Sequence, residues 1–241
     1  MKRILLTLIF LCGVHTIFGQ DDFTMPTDAD YPKLPASAAR PADFIPSGWK
    51  IMSEAEGDLN GDKREDTVLV IKANNEKFLN KNEGLGEEVF DTNPRILAIL
   101  FWENDKYKLA LQSNTFIAMA DSPTMSEPFQ GVNITNGVLQ FDFEIFMSAG
   151  GWGMSNQNYK FRYQNGDFVL IGADKTDVQR NSGEMETRSY NFSTGKVQIK
   201  KGNTSSDKNK VQWRTIRLKE KKTLSNFGKP FEWEVEKDYF L

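Results

Sequence analysis

Three features of the sequence predict a mainly β, antiparallel fold. Short apolar or alternating runs recur along the chain, Asn-Gly pairs stand between several of them, and no helical run is long. The expectation is an antiparallel sheet or β-sandwich built as a hairpin meander, with few short helices.

The elements follow in order. Gly48–Glu56 suits either a short helix or a strand, because so few residues cannot distinguish the two periods. Thr67–Ile71 is β-branched and apolar, which predicts a buried strand. Lys72–Asn93 is polar and holds Gly84 and Gly86, which predicts a long loop with a helical turn near Asn75–Asn80. Arg95–Trp102 is a second buried strand, turned by Glu103–Lys106 into Tyr107–Leu111. Asn136-Gly137 joins Gly131–Thr135 to Val138–Phe146, and Asn-Gly is a strong two-residue hairpin signal. Along Leu139–Phe146 apolar and polar residues alternate, so Asp142 and Glu144 share one wet face.

Asn165-Gly166 joins Asn158–Tyr163 to Phe168–Ile171, and Ser193–Gly195 joins Ser189–Phe192 to Lys196–Ile199. Lys201–Lys210 is polar and reads as a mobile loop. Val211–Leu218 alternates, and Phe231–Glu236 alternates strictly, as an edge strand does.

Residues 1–19 read as an export signal. Lys2 and Arg3 precede the apolar run Ile4–Leu11, and a small residue, Gly19, stands before Gln20. The implied location is secreted or periplasmic. Cys12 follows Leu11 rather than a small residue, which argues against a lipid anchor. No later run has the eighteen or so apolar residues of a transmembrane span. Residues 20–46 carry Pro26, Pro32, Pro35, Pro41 and Pro46, and predict an extended, exposed arm or linker. Residues 47–241 are then a single β-rich domain.

Cleavage after Gly19 would remove the only cysteine, Cys12, and the only histidine, His15. The remaining chain could form no disulfide, Cys/His zinc site, catalytic triad or cysteine nucleophile. That weighs against an enzyme. Losing Lys2 and Arg3 as well takes the net charge from −3 to −5. This acidity argues against a nucleic-acid partner, which needs a basic face.

The most informative stretch is Gly57-Asp58-Leu59-Asn60-Gly61-Asp62-Lys63-Arg64-Glu65-Asp66, which runs straight into the Thr67 strand. Asp58, Asn60, Asp62 and Asp66 crowd side-chain oxygens into nine residues. Such carboxylates repel one another unless a cation lies between them, and calcium takes six to eight oxygens of this kind. The alternative is an acidic turn whose Asp and Asn serve turn geometry.

This stretch resembles the calcium loop of FG-GAP and VCBS-type repeats. The resemblance implies side-chain ligands from Asp58, Asn60, Asp62 and Asp66 and a backbone carbonyl from Arg64. The loop occurs once, and no repeat of twenty to fifty residues is present, so a full propeller is not expected. Lys63 stands where such loops often carry glycine. Phe44–Trp49 and Lys160–Gly172 are similar to small exported proteins of Bacteroidetes-type bacteria. That likeness implies a secreted or periplasmic accessory protein and nothing sharper; its partner, a protein or a glycan, stays open.

A second candidate is Trp152, flanked by glycines in Ser148-Ala149-Gly150-Gly151-Trp152-Gly153. An exposed tryptophan there could stack on a sugar; otherwise it folds back over the sheet. Two readings follow. The first is a non-enzymatic exported protein in which calcium rigidifies the fold. The second is a carbohydrate-binding or glycan-processing protein that uses Trp152 and the wet-face carboxylates Asp142 and Glu144.

Overall fold

A computed structural model describes residues 23–218 and 220–241. The stretch expected to be an export signal, with Cys12 and His15, lies outside the described residues. The fold is mainly β and antiparallel, as the sequence predicts. Among the described residues no helix is long and apolar enough to cross a membrane.

Two sheets pack face to face. The smaller contains β1 (Ser37–Ala38), β2 (Trp49–Gly57), β3 (Asp66–Ala73), β6 (Arg95–Glu103) and β7 (Lys106–Ser113), in the order β1-β7-β6-β3-β2. Between β3 and β6 a separate hairpin pairs β4 (Leu79–Lys81) with β5 (Val89–Asp91), after a 3-10 turn at Glu76–Phe78. The larger sheet is a meander of seven strands in unbroken sequence order. These are β8 (Phe129–Thr135), β9 (Val138–Phe146), β10 (Gly153–Gln164), β11 (Asp167–Gln179), β12 (Glu184–Asn191), β13 (Lys196–Asn203) and β14 (Ser206–Thr215).

The main core lies between the sheets. Val68 and Val70 of β3 and Leu97, Ile99 and Phe101 of β6 meet Leu139, Phe141, Phe143, Tyr159 and Phe161 of the meander. Tyr159, Ala173, Tyr190 and Val197 stand in register across β10 to β13 on this face. At the far end of the face the C-terminal hairpin takes over as the cover. It pairs β15 (Glu234–Glu236) with β16 (Tyr239–Phe240). Glu236 accepts from the Tyr190 hydroxyl at 2.7 Å and from Arg188 at 3.2 Å. The Arg188 guanidinium lies 3.5 Å from the Tyr239 ring centre.

The arm corrects an expectation. Residues 23–46 are not an exposed linker: Leu34 and Phe44 are buried on the outer side of the small sheet, against Leu69, Ile71, Ile96, Ala98 and Leu100. Proline forbids a regular element there but not burial, and the segment docks through 3-10 turns at Asp28–Asp30 and Pro41–Phe44. This second core explains why β3 and β6 are apolar on both faces.

Of the two readings open for Gly48–Glu56, the strand holds, as β2 from Trp49 onward. Three element expectations change as well. Lys72–Asn93 is not loop throughout but holds the β4–β5 hairpin, with its helical turn at Glu76–Phe78. Lys201–Lys210 is not a loop but the end of β13, a tight turn and the start of β14. Phe231–Glu236 is strand only from Glu234 onward.

Candidate functional site

The acidic loop joins β2 to β3, and its side chains organise its own backbone. Asp58 accepts from the amides of Gly61 at 2.7 Å and Lys63 at 2.9 Å, one per carboxylate oxygen. Asn60 Oδ1 accepts from Asp62 N, and Asp62 Oδ1 from Arg64 N, each at 2.9 Å. These are linked Asx turns, in which a short polar side chain captures an amide a few residues on. Leu59 points the other way and is buried in the main core.

Asp66 plays a different part. It is fully buried; its Oδ2 accepts from Leu59 N at 2.9 Å and its Oδ1 from Trp102 N at 3.1 Å. The carboxylate therefore latches the loop's beginning to its end and to β6. Burial pushes its pKa up, and the amides of Leu59 and Trp102 pull it back only in part.

The loop is also wedged from outside. A Cβ on Gly57 would come 2.7 Å from Ile134 Cγ2, so β2 approaches β8 closely there. Gly137 of the β8–β9 turn sits against the Asp58 carbonyl. A shallow groove of about 540 Å³ separates the loop from Asn136, Arg162 and Tyr163.

Lys63 has φ +67°, and Gly61 φ +83°. A lysine in the left-handed region is strained by roughly 1–2 kcal/mol, partly offset by the unfolded-state entropy that a glycine would add. Lys63→Gly is therefore expected to stabilise the protein by up to about 1 kcal/mol. Urea unfolding of the two proteins side by side tests this; a destabilised variant would contradict it.

The donor set available to a cation is oxygen only. Asp58, Asn60 and Asp62 each accept one amide per bonded oxygen and keep a second lone pair on it, whereas both Asp66 oxygens already bond inward. Among the described residues no group of three or more His, Cys, Asp or Glu is gathered as a metal cluster. The side chains thus suit a hard cation in kind. Asp66 stands behind the others rather than beside them.

Trp152 does not fold back over the sheet; it is 63% exposed. Its loop is nonetheless fixed. Arg180 Nη2 donates to the carbonyls of Met147 at 2.8 Å and Gly151 at 2.7 Å, and Arg180 N donates to Trp152 O at 2.8 Å. The guanidinium lies 4.5 Å from the Phe146 ring centre and 6.0 Å from that of Trp152. Sequence reasoning missed Arg180. Counting back from the Asn165-Gly166 turn, with the one-residue bulge at Lys160/Phe161, would have placed it opposite Trp152.

Asp142 and Glu144 alternate with the buried Phe141 and Phe143 and so lie on the outer face of the large sheet. Asp142 accepts from Gln140 at 2.7 Å and Asn133 at 3.4 Å. No family model, curated protein or solved structure matches this chain.

Proposed function

We propose that this is an exported, non-enzymatic β protein whose acidic loop binds calcium and whose role is structural or binding. What supports the reading is the self-organised Asp58–Asp66 loop. Its oxygens are pre-set by amide hydrogen bonds, and Asp66 ties it to both neighbouring strands. Asp58, Asn60 and Asp62 would hold the ion with the Arg64 carbonyl, and Asp66 would join the set through a lone pair that its inward bonds leave free. The bound ion would neutralise the clustered carboxylates and so stiffen the junction of β2, β3 and β6. An affinity in the range of extracellular modules, about 10⁻⁴–10⁻³ M, would fill such a site only outside the cytoplasm.

Thermal melts in calcium and in chelator test the reading. At a hundred times the dissociation constant, calcium is expected to add about 2.7 kcal/mol of stability. The gain should vanish in Asp58→Ala. Equal melting temperatures at every calcium level would leave an acidic turn and nothing more.

A second reading, a carbohydrate-binding protein, is favoured by one observation: Trp152 is exposed on a loop that Arg180 holds rigid. Pre-ordered aromatics bind sugar faces without a large ordering cost. Selective binding on a glycan array, lost in Trp152→Ala, would support it; an array blank for the native protein would end it.

A further inference from the structure

The large sheet ends in an open edge. Its first strand, β8, runs beside β2 of the small sheet, close enough that Gly57 touches Ile134. Its last strand, β14, pairs only with β13, and all ten of its residues are exposed. The strand has no proline, so every second residue presents an unpaired amide and carbonyl outward.

This edge is also where the chain's positive charge gathers. Between Lys196 and Arg217 seven Lys and Arg stand against one acid, Asp207, in a protein whose net charge is −3. Lys201 is matched by Glu186 at 2.7 Å and Arg214 by Glu236 at 2.9 Å. Among the described residues Lys196, Lys200, Lys208 and Lys210 have no acidic partner within ion-pair distance.

Lysines on an edge strand commonly guard against aggregation. That role does not account for Trp213 and Val211, which are 62% and 53% exposed, two residues apart on the outer face. Opposite them in register stand Gln198 and Lys200, and Lys196 lies opposite Thr215. An apolar pair framed by lysines, beside an open hydrogen-bonding ladder, has the parts of a strand-addition site: backbone bonds for affinity, alternate side chains for selection.

We propose that β14 is a docking edge for an acidic, extended polypeptide segment, which adds to the large sheet as an eighth strand. The incoming segment would place carboxylates on the face that carries Lys208 and Lys210 and apolar side chains on the face that carries Val211 and Trp213. A second copy of the chain is a poor occupant. Pairing two β14 edges would bring two strongly basic hairpins together with only Asp207 on each side to compensate. A nucleic acid would satisfy the lysines but leave the ladder unpaired, since it offers no matching row of amides and carbonyls.

The test uses an acetylated ten-residue peptide that alternates Glu and Val, titrated into the protein while Trp fluorescence is followed. Hydrogen exchange of residues 206–215 is then measured with and without it. Binding is expected with exchange at alternate β14 amides slowed about tenfold or more, because edge amides open at almost no cost until they are paired. The double variant Lys208→Glu/Lys210→Glu, both positions exposed, is expected to bind about tenfold more weakly at low salt while keeping its circular dichroism spectrum.

A matched Lys-Val peptide should not bind. Three results would each overturn the proposal: no binding at millimolar peptide, binding without protection of β14, or binding of a ten-residue oligothymidylate in preference to the peptide.

Discussion

Phe116→Ala is expected to remove about 3–5 kcal/mol of folding stability, the range for emptying a large aromatic site in a packed core. Phe116 belongs to no strand. It sits on the connection from β7 to β8, where the amides of Thr115 and Phe116 donate to the Ser113 hydroxyl at 3.4 and 3.2 Å. That turn drives the ring between the sheets, where it is fully buried. The rings of Phe141, Phe227 and Phe161 stand edge-on to it, at centre distances of 4.9, 5.3 and 5.5 Å. Those neighbours belong to rigid strands and to the C-terminal segment, so the space left by alanine cannot close. Phe116→Leu keeps most of the volume and should lose about 1.5 kcal/mol or less. Urea unfolding of both variants decides it. A loss below 1 kcal/mol in the alanine variant would mean that the aromatic cluster is not the joint between the sheets.

Asp66→Ala ranks second, at about 2–4 kcal/mol, because it strands two amides at once and each unsatisfied buried donor costs about 1–3 kcal/mol. Leu59 N and Trp102 N have no substitute acceptor nearby among the bonds of the loop. Asp66→Asn keeps one acceptor oxygen but turns an NH₂ toward the other donor, so roughly half the loss should remain. The calcium dependence separates the latch from the ligand set. In chelator, Asp66→Ala should be clearly destabilised and Asp58→Ala only mildly, because the two amides that Asp58 releases lie at the surface and turn to water. In calcium, both should fall. If Asp66→Ala melted normally in chelator, the buried carboxylate would not be a structural latch.

The readability of this chain depended on whether a segment had one wet face and one dry one. β9 did, and the alternation of Leu139–Phe146 placed it and its Asn136-Gly137 turn. β14 is wet on both faces, so its polar first half carried no alternation and read as a loop. The arm failed for the opposite reason: Leu34 and Phe44 are single anchors separated by prolines, and burial of isolated residues leaves no period to detect. Within the acidic loop the oxygen-bearing residues were legible as a set. Their division of labour was not, because Asp66's partners are backbone amides, one of them 36 residues away on β6. Arg180 was hidden in the same manner, since only strand register brings it to Trp152.

The two sheets differ in how far apart along the chain their partners lie. Every neighbour in the large sheet is also the next strand in sequence, whereas β1 must find β7 and β3 must find β6 across intervening segments. Closing a long loop before any contact rewards it slows folding, so low contact order favours the meander. The large sheet should therefore zip hairpin by hairpin from its Asn-Gly turns. The small sheet and its proline-rich arm should then condense upon it, as the slow phase of refolding.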